Sequence, residues 1–217
     1  MDDHPLAAAD GGARPALAPD ARPYVPPGAS ATAAVVLVGT SAAGFAILAV
    51  QGQVGPAITI PARDLAVRVA ITAIAFGSLT AYLGFLGSAI AVPVWTHRAC
   101  RNLRSLGRPG HLSPAWAAWS WFIPVVNVVL PWLAVQDLWT GSGGRPRGRL
   151  LLGAWWVAWL AACAAWVAAG FAPARLDWVR PLSQLLLAAA GLLLAVIVAA
   201  ITRLQDARAA VDFPAPH

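Results

Sequence analysis

Four long apolar runs with almost no charge limit what this chain can fold into: about residues 33–50, 68–95, 150–171 and 182–202. Each falls in or above the roughly 17–25 residues that a helix needs to cross the ~30 Å hydrocarbon core of a bilayer. Composition agrees. The chain is 59% apolar and 11% charged, where a soluble domain carries about 25% charge. An all-α integral membrane protein is expected, as one helical membrane domain over residues 32–208. It is flanked by a disordered Pro/Ala-rich tail over 1–31 and a short polar tail over 209–217.

The stretch from Trp95 to Trp139 organises the rest. It leaves the second run through a basic segment bearing Arg98, Arg101, Arg104 and Arg108, then returns to a Trp-rich apolar segment cut by Pro124 and Pro131. Six of the eleven tryptophans lie in it. Whether residues 114–139 cross the membrane decides between four spans and five, and arginine counting separates the two. If the segment crosses, the loops on the two sides hold eight and seven arginines; if it enters and returns, they hold eleven and four. Only the second obeys the excess of basic residues on the cytoplasmic side. Four spans plus a Pro-broken re-entrant or interfacial segment are therefore favoured over five spans, with both termini cytoplasmic.

All charged residues other than His are Arg or Asp, and the net charge is +6. Absence of Lys and Glu beside abundant Ala, Gly and Pro suggests a GC-rich bacterial genome, hence a multi-pass plasma-membrane protein. Arginines beside the spans suit anionic lipid headgroups. Nucleic-acid binding is not expected, because no soluble module presents them. The N-terminal tail begins acidic and lacks the apolar region of a secretory signal. Its Tyr24, in RPYVPPG, reads either as a polyproline-type ligand for a partner or as part of a solvated tether.

Within the runs, Thr80, Gly84 and Ser88 form one small-residue ridge and Gly191, Ala195 and Ala199 another. Such ridges let helices approach closely. Trp155, Trp159 and Trp166 share a stripe on the fourth helix in sequence order. Pro93 has no N–H for the carbonyl of Ala89, so a bend is expected there.

Asn127 would lie deep in the broken segment. Its amide, with the Ser120 hydroxyl, either satisfies backbone freed by Pro124 and Pro131 or marks a polar cavity at a half-helix end. Trp95, Arg98 and Asn102 share one face of a helix continuing out of the second span. Asp137 either pairs with Arg98 or Arg101 or is solvated at the headgroups. Cys100 and Cys163 form no disulfide framework, and His4, His97, His111 and His217 have no metal-ligand spacing. No cofactor or metal is expected. No catalytic triad, paired intramembrane carboxylates, HExxH or phosphate loop is present, so an enzyme is not expected. GSGG before RPRGR reads as a flexible basic turn.

The pattern Trp95, Arg98, Asn102, Leu106, Gly107, then Pro114, Trp116, Trp121, Pro124, Asn127, Pro131, then Leu138 and Trp139, resembles the bacterial membrane-protein family called domain of unknown function 4328. The closing TRLQDAR, with Gln205 at its polar position, is also similar to that family. The resemblance spans about residues 60–208 and implies a multi-span bacterial membrane protein without an assigned activity. WLAV after Pro131 departs from the more polar stretch usual there, which argues against a charged ligand at those positions. Two main readings follow. The leading one is a non-enzymatic assembly protein, a homo-oligomer or the companion of another membrane protein, using the ridges, the tryptophan stripe and the basic face. The other is a small transporter or channel-like protein with a polar site around Asn127. A lipid-modifying enzyme is a distant third.

Overall fold

The computed structural model describes residues 24–54, 65–171 and 176–213. Among them every regular element is helical. Four helices are long and apolar enough to cross a membrane: α1 (Gly28–Val54), α2 (Leu65–Ser105), α5 (Gly148–Phe171) and α6 (Val179–Asp212). Between α2 and α5 lie two short helices, α3 (Pro114–Trp119) and α4 (Leu130–Gly141), with a 3-10 turn at Val126–Val128. Every expected span is present and longer than its apolar run. α2 continues unbroken through Pro93 and past Trp95, as the shared face of Trp95 and Asn102 implied.

Two boundaries move. Residues 28–31, read as tail, begin α1, and α6 stays helical through Asp212 rather than ending at 208. The loop prolines Pro56 and Pro61, and residues 1–23, lie outside the described residues.

α1 sits between α2 and α6, α5 packs on the other side of α6, and α3 and α4 pack against α2, with α4 also touching α5. The result is a ring in which the short elements join α2 to α5. Closeness at α1 comes from missing side chains. A Cβ on Gly84 would lie 2.6 Å from the Ser41 backbone nitrogen, and one on Gly191 3.1 Å from the Ala42 Cβ. Gly44 lies equally hard against Ala81, and the Ser41 hydroxyl donates to the Ala81 carbonyl at 3.1 Å. Gly84 and Gly191, the heart of both predicted ridges, are thus covered by α1 of the same chain.

Outward faces are apolar. Phe76, Leu79, Leu83, Leu86 and Ile90 of α2 are exposed, as are Leu185, Leu192 and Val196 of α6. In water such faces would be a large unfavourable patch; against acyl chains they are the expected exterior.

Candidate functional site

The segment joining α2 to α5 is shaped by residues that stop helices. Gly107 takes φ +69°, and its N–H and that of Arg108 bond back to the carbonyls of Arg104 and Leu103. This is the paired bonding of a glycine-terminated helix, so α2 ends there. Ser113 then caps α3, accepting from the Trp116 N–H at 3.2 Å, with Pro114 at the first helical position. After Ser120 the backbone leaves the helix, and Pro131 opens α4 rather than interrupting a helix. α4 ends as α2 does, at Gly143 with φ +85°.

Both ends of the segment are tied to one place. Asp137 accepts from the His111 backbone N–H and pairs with the His111 ring, each at 2.7 Å. Gly110 fits because a Cβ there would be 2.8 Å from the Asp137 carboxylate. The expected pairing of Asp137 with Arg98 or Arg101 is therefore replaced by one with His111: the turn after Gly107 brings His111 across α4, while the Arg98 side chain points outward and is exposed. At the far end, Trp139 Nε1 donates to the Arg145 carbonyl at 3.1 Å, and Arg208 of α6 donates to the Ser142 carbonyl at 3.1 Å. The Trp139 ring lies against Gly144 and Gly148. GSGG is thus a clamped turn, not a loose one.

Beside this lies a polar lock between α2 and α6. Trp95 Nε1 donates to the Thr202 hydroxyl at 3.1 Å, and Gln205 Nε2 to the Ala99 carbonyl at 3.1 Å, all buried. Asn102 clasps the backbone of Val25, donating to its carbonyl at 2.8 Å and accepting from its N–H at 3.2 Å. The Tyr24 hydroxyl donates to Asp206 at 2.6 Å, and Pro27 is fully buried. Tyr24 is thus taken up by α6 of its own chain. Burial, and then the Asp206 carboxylate, push its phenol above the usual tyrosine range.

At the tip of the segment, the Asn127 side chain donates to the Trp121 carbonyl at 3.0 Å, closing the turn that the prolines open. The Ser120 hydroxyl donates to the Ala117 carbonyl at 2.9 Å. Asn127 Oδ1 and Trp121 Nε1 are both buried and have no hydrogen-bond partner in the described residues. Both residues line a cavity of about 160 Å³ in the middle of the ring. Ser41 of α1, Ser88 and Ala89 of α2, Trp155 of α5 and Gly191 of α6 share its wall. None of its lining residues is ionisable. Phe85 and Phe122 line it while remaining 48% and 52% exposed.

A run of indoles buttresses the wall. Trp121 meets Trp155 with ring centroids 6.3 Å apart, Trp155 meets Trp156 at 5.2 Å, and Trp156 stacks on Trp159 at 5.1 Å. Trp132 of α4 joins at Trp156, 6.2 Å away.

A family model described as domain of unknown function (DUF4328) matches residues 61–208. The chain belongs to this family. Neither the curated proteins nor the solved structures contain a match. The DUF4328 match takes in α2, the broken segment, α5 and most of α6, and leaves α1 outside it.

The residues singled out in the sequence fall into separate groups. Trp121 and Asn127 meet at the cavity; Trp95, Asn102 and Gln205 make the α2–α6 lock; Asp137 and Trp139 fasten the segment. Pro114 and Pro131 are buried helix starts, whereas Arg98, Trp116 and Pro124 are exposed. Sequence reasoning missed His111 as the partner of Asp137, Val25 as the partner of Asn102, and Ser41; Ser88 was read as part of a small-residue ridge and not as cavity wall.

Proposed function

We propose that this chain is a bacterial plasma-membrane protein of four spans, with residues 114–141 entering the bilayer and returning, and that it binds or carries a small molecule at the Asn127 cavity without chemically altering it. The carrying observation is the cavity itself. It lies among all four long helices and the broken segment, and Ser41, Ser88 and Asn127 interrupt a wall that is otherwise mostly apolar.

The re-entrant path is supported by the 2.7 Å contact of His111 with Asp137 and by the Arg208 contact at Ser142. A crossing segment would put its two ends about 30 Å apart. The basic residues flanking those contacts suit the cytoplasmic headgroups, with both termini on that side. Ser88 in the cavity wall precedes Arg98 by ten residues, about 15 Å of helix, which supports a cavity near mid-bilayer. Broken helices meeting at the midplane are how secondary transporters build their substrate sites. The assembly reading is weaker, because the glycines it relied on are covered by α1.

Asn127→Leu tests the reading. Purified chain in liposomes is expected to keep its fold and lose ligand binding or flux. Loss of fold instead would leave Asn127 as a turn-closing residue only.

A further inference from the structure

The turn between α4 and α5 gathers positive charge that the chain does not neutralise. Arg145, Arg147 and Arg149 fall within five residues, and all three are exposed. Arg208 joins them from α6: its Nε donates to the Ser142 carbonyl, and a Cβ on Gly143 would lie 2.5 Å from one of its terminal nitrogens. From within, the turn is held by the Trp139 ring against Gly144 and Gly148 and by the Trp139 bond to the Arg145 carbonyl. Its backbone is thus fixed in advance, and binding there costs little further ordering.

The acids on the neighbouring helices are engaged elsewhere. Among the described residues the one ion pair is that of His111 with Asp137. Asp206 accepts from the Tyr24 hydroxyl, and Asp212 pairs with none of the four arginines. Apart from Arg208 Nε, their guanidinium nitrogens bond nothing in the described residues.

Position selects the anion that could lie among them. α5 is apolar enough to cross a membrane, and Leu150, directly after Arg149, is 79% exposed. In a bilayer, guanidiniums beside so bare an apolar side chain lie where hydrocarbon gives way to headgroups. The anion met at that level is a lipid phosphate, whose oxygens the planar guanidinium fork matches.

We propose that the turn over residues 145–149, with Arg208, is a binding site for the phosphate of an anionic phospholipid. It requires α5 to lie in a bilayer and does not depend on the Asn127 cavity, so the two proposals fail separately.

The test titrates the full chain in detergent with phosphatidylglycerol or phosphatidylcholine of the same acyl chains and counts bound lipid by native mass spectrometry. Phosphatidylglycerol is expected to bind the tighter. Arg147→Ala with Arg149→Ala should weaken its complex about twenty-fivefold, taking about fivefold for each arginine at an anionic surface. Both side chains are exposed and unbonded, so the fold should hold, which monodispersity checks. Arg98→Ala with Arg101→Ala removes the same charge from α2. These lie roughly 140° and 160° round the helix from Leu103, the residue that meets Gly141 beside the turn, and their loss should have a much smaller effect. Equal losses from the two pairs would mean that net charge alone holds the lipid, and would overturn the site. So would equal binding of the two lipids. If inorganic phosphate displaced phosphatidylglycerol where chloride of equal ionic strength did not, a soluble phosphate would be the ligand and the lipid assignment would fall.

Discussion

The α1 seam and the broken segment hold the molecule together by opposite means. At the seam, helices meet closely because Gly44, Gly84 and Gly191 carry no side chain, and the Ser41 hydroxyl adds a hydrogen bond. In the segment, fixed donors and acceptors do the work: Ser113 on Trp116, Asn127 on Trp121, Asp137 on His111 and Trp139 on Arg145. Shape complementarity can be met by many sequences with small residues at helical spacing. Directional bonds need one residue type at one place. The DUF4328 match includes the second region and the α2 and α6 sides of the seam, and stops short of α1.

The comparison can be broken at the seam with the largest effect. Gly84→Leu drives a side chain into the backbone of Ser41, which cannot yield as a core side chain would. Destabilisation beyond the ~1–3 kcal/mol usual for overpacking is expected, seen as loss of monodisperse protein in detergent. Gly39→Ala is the control: a Cβ there meets nothing within 4 Å, and α1 should gain slightly in helix propensity. Equal damage from both would mean that the seam is not held by shape.

In the segment, Trp139→Ala removes a buried ring and the bond to Arg145. A loss of about 3–5 kcal/mol is expected, with the 142–148 turn becoming protease-sensitive while α1 stays packed. Asn102→Ala should cost less, about 1–3 kcal/mol for two bonds to backbone. Its signature is faster hydrogen exchange at the Val25 amide with little change elsewhere.

The smallest effect is at Tyr24. Tyr24→Phe loses one partly exposed hydrogen bond, under ~1 kcal/mol. Its pH dependence has a definite sign. The folded-state phenol is held above its ordinary value, so its contribution is complete below the unfolded pKa of ~10 and disappears as pH rises through the folded value. Wild type should lose stability relative to Tyr24→Phe only in strong alkali, with no difference between them developing from pH 6 to 9. Thermal melts at a series of pH values measure this.

The spans and the continuation of α2 were legible because periodicity and length are local properties. The breaks around Pro124 and Pro131 were legible too, since a missing N–H acts within four residues, whereas α2 stays helical through Pro93. Tyr24–Pro27 was not. Four residues without a period look like tether, and their holders, Asn102 and Asp206, are 77 and 182 positions away. The glycine ridges were legible as close-packing surfaces but not as to partner, because nothing in a small-residue spacing distinguishes a neighbouring helix of the same chain from another chain's. Asp137 shows the same limit: charge suggested arginine, and only the turn at Gly107 delivers His111.

A re-entrant segment requires residues 114–141 to begin and end on one side of the membrane. Sided cysteine labelling tests this most directly, at Arg108→Cys and Arg147→Cys in chains that also carry Cys100→Ala and Cys163→Ala. Both target positions are exposed, whereas Ser142 is buried. Both are expected to react with an impermeant maleimide only from the cytoplasmic side. Reaction of Arg147→Cys from the outside, with Arg108→Cys still cytoplasmic, would mean five spans and would contradict the contact of Asp137 with His111 on which the return path rests.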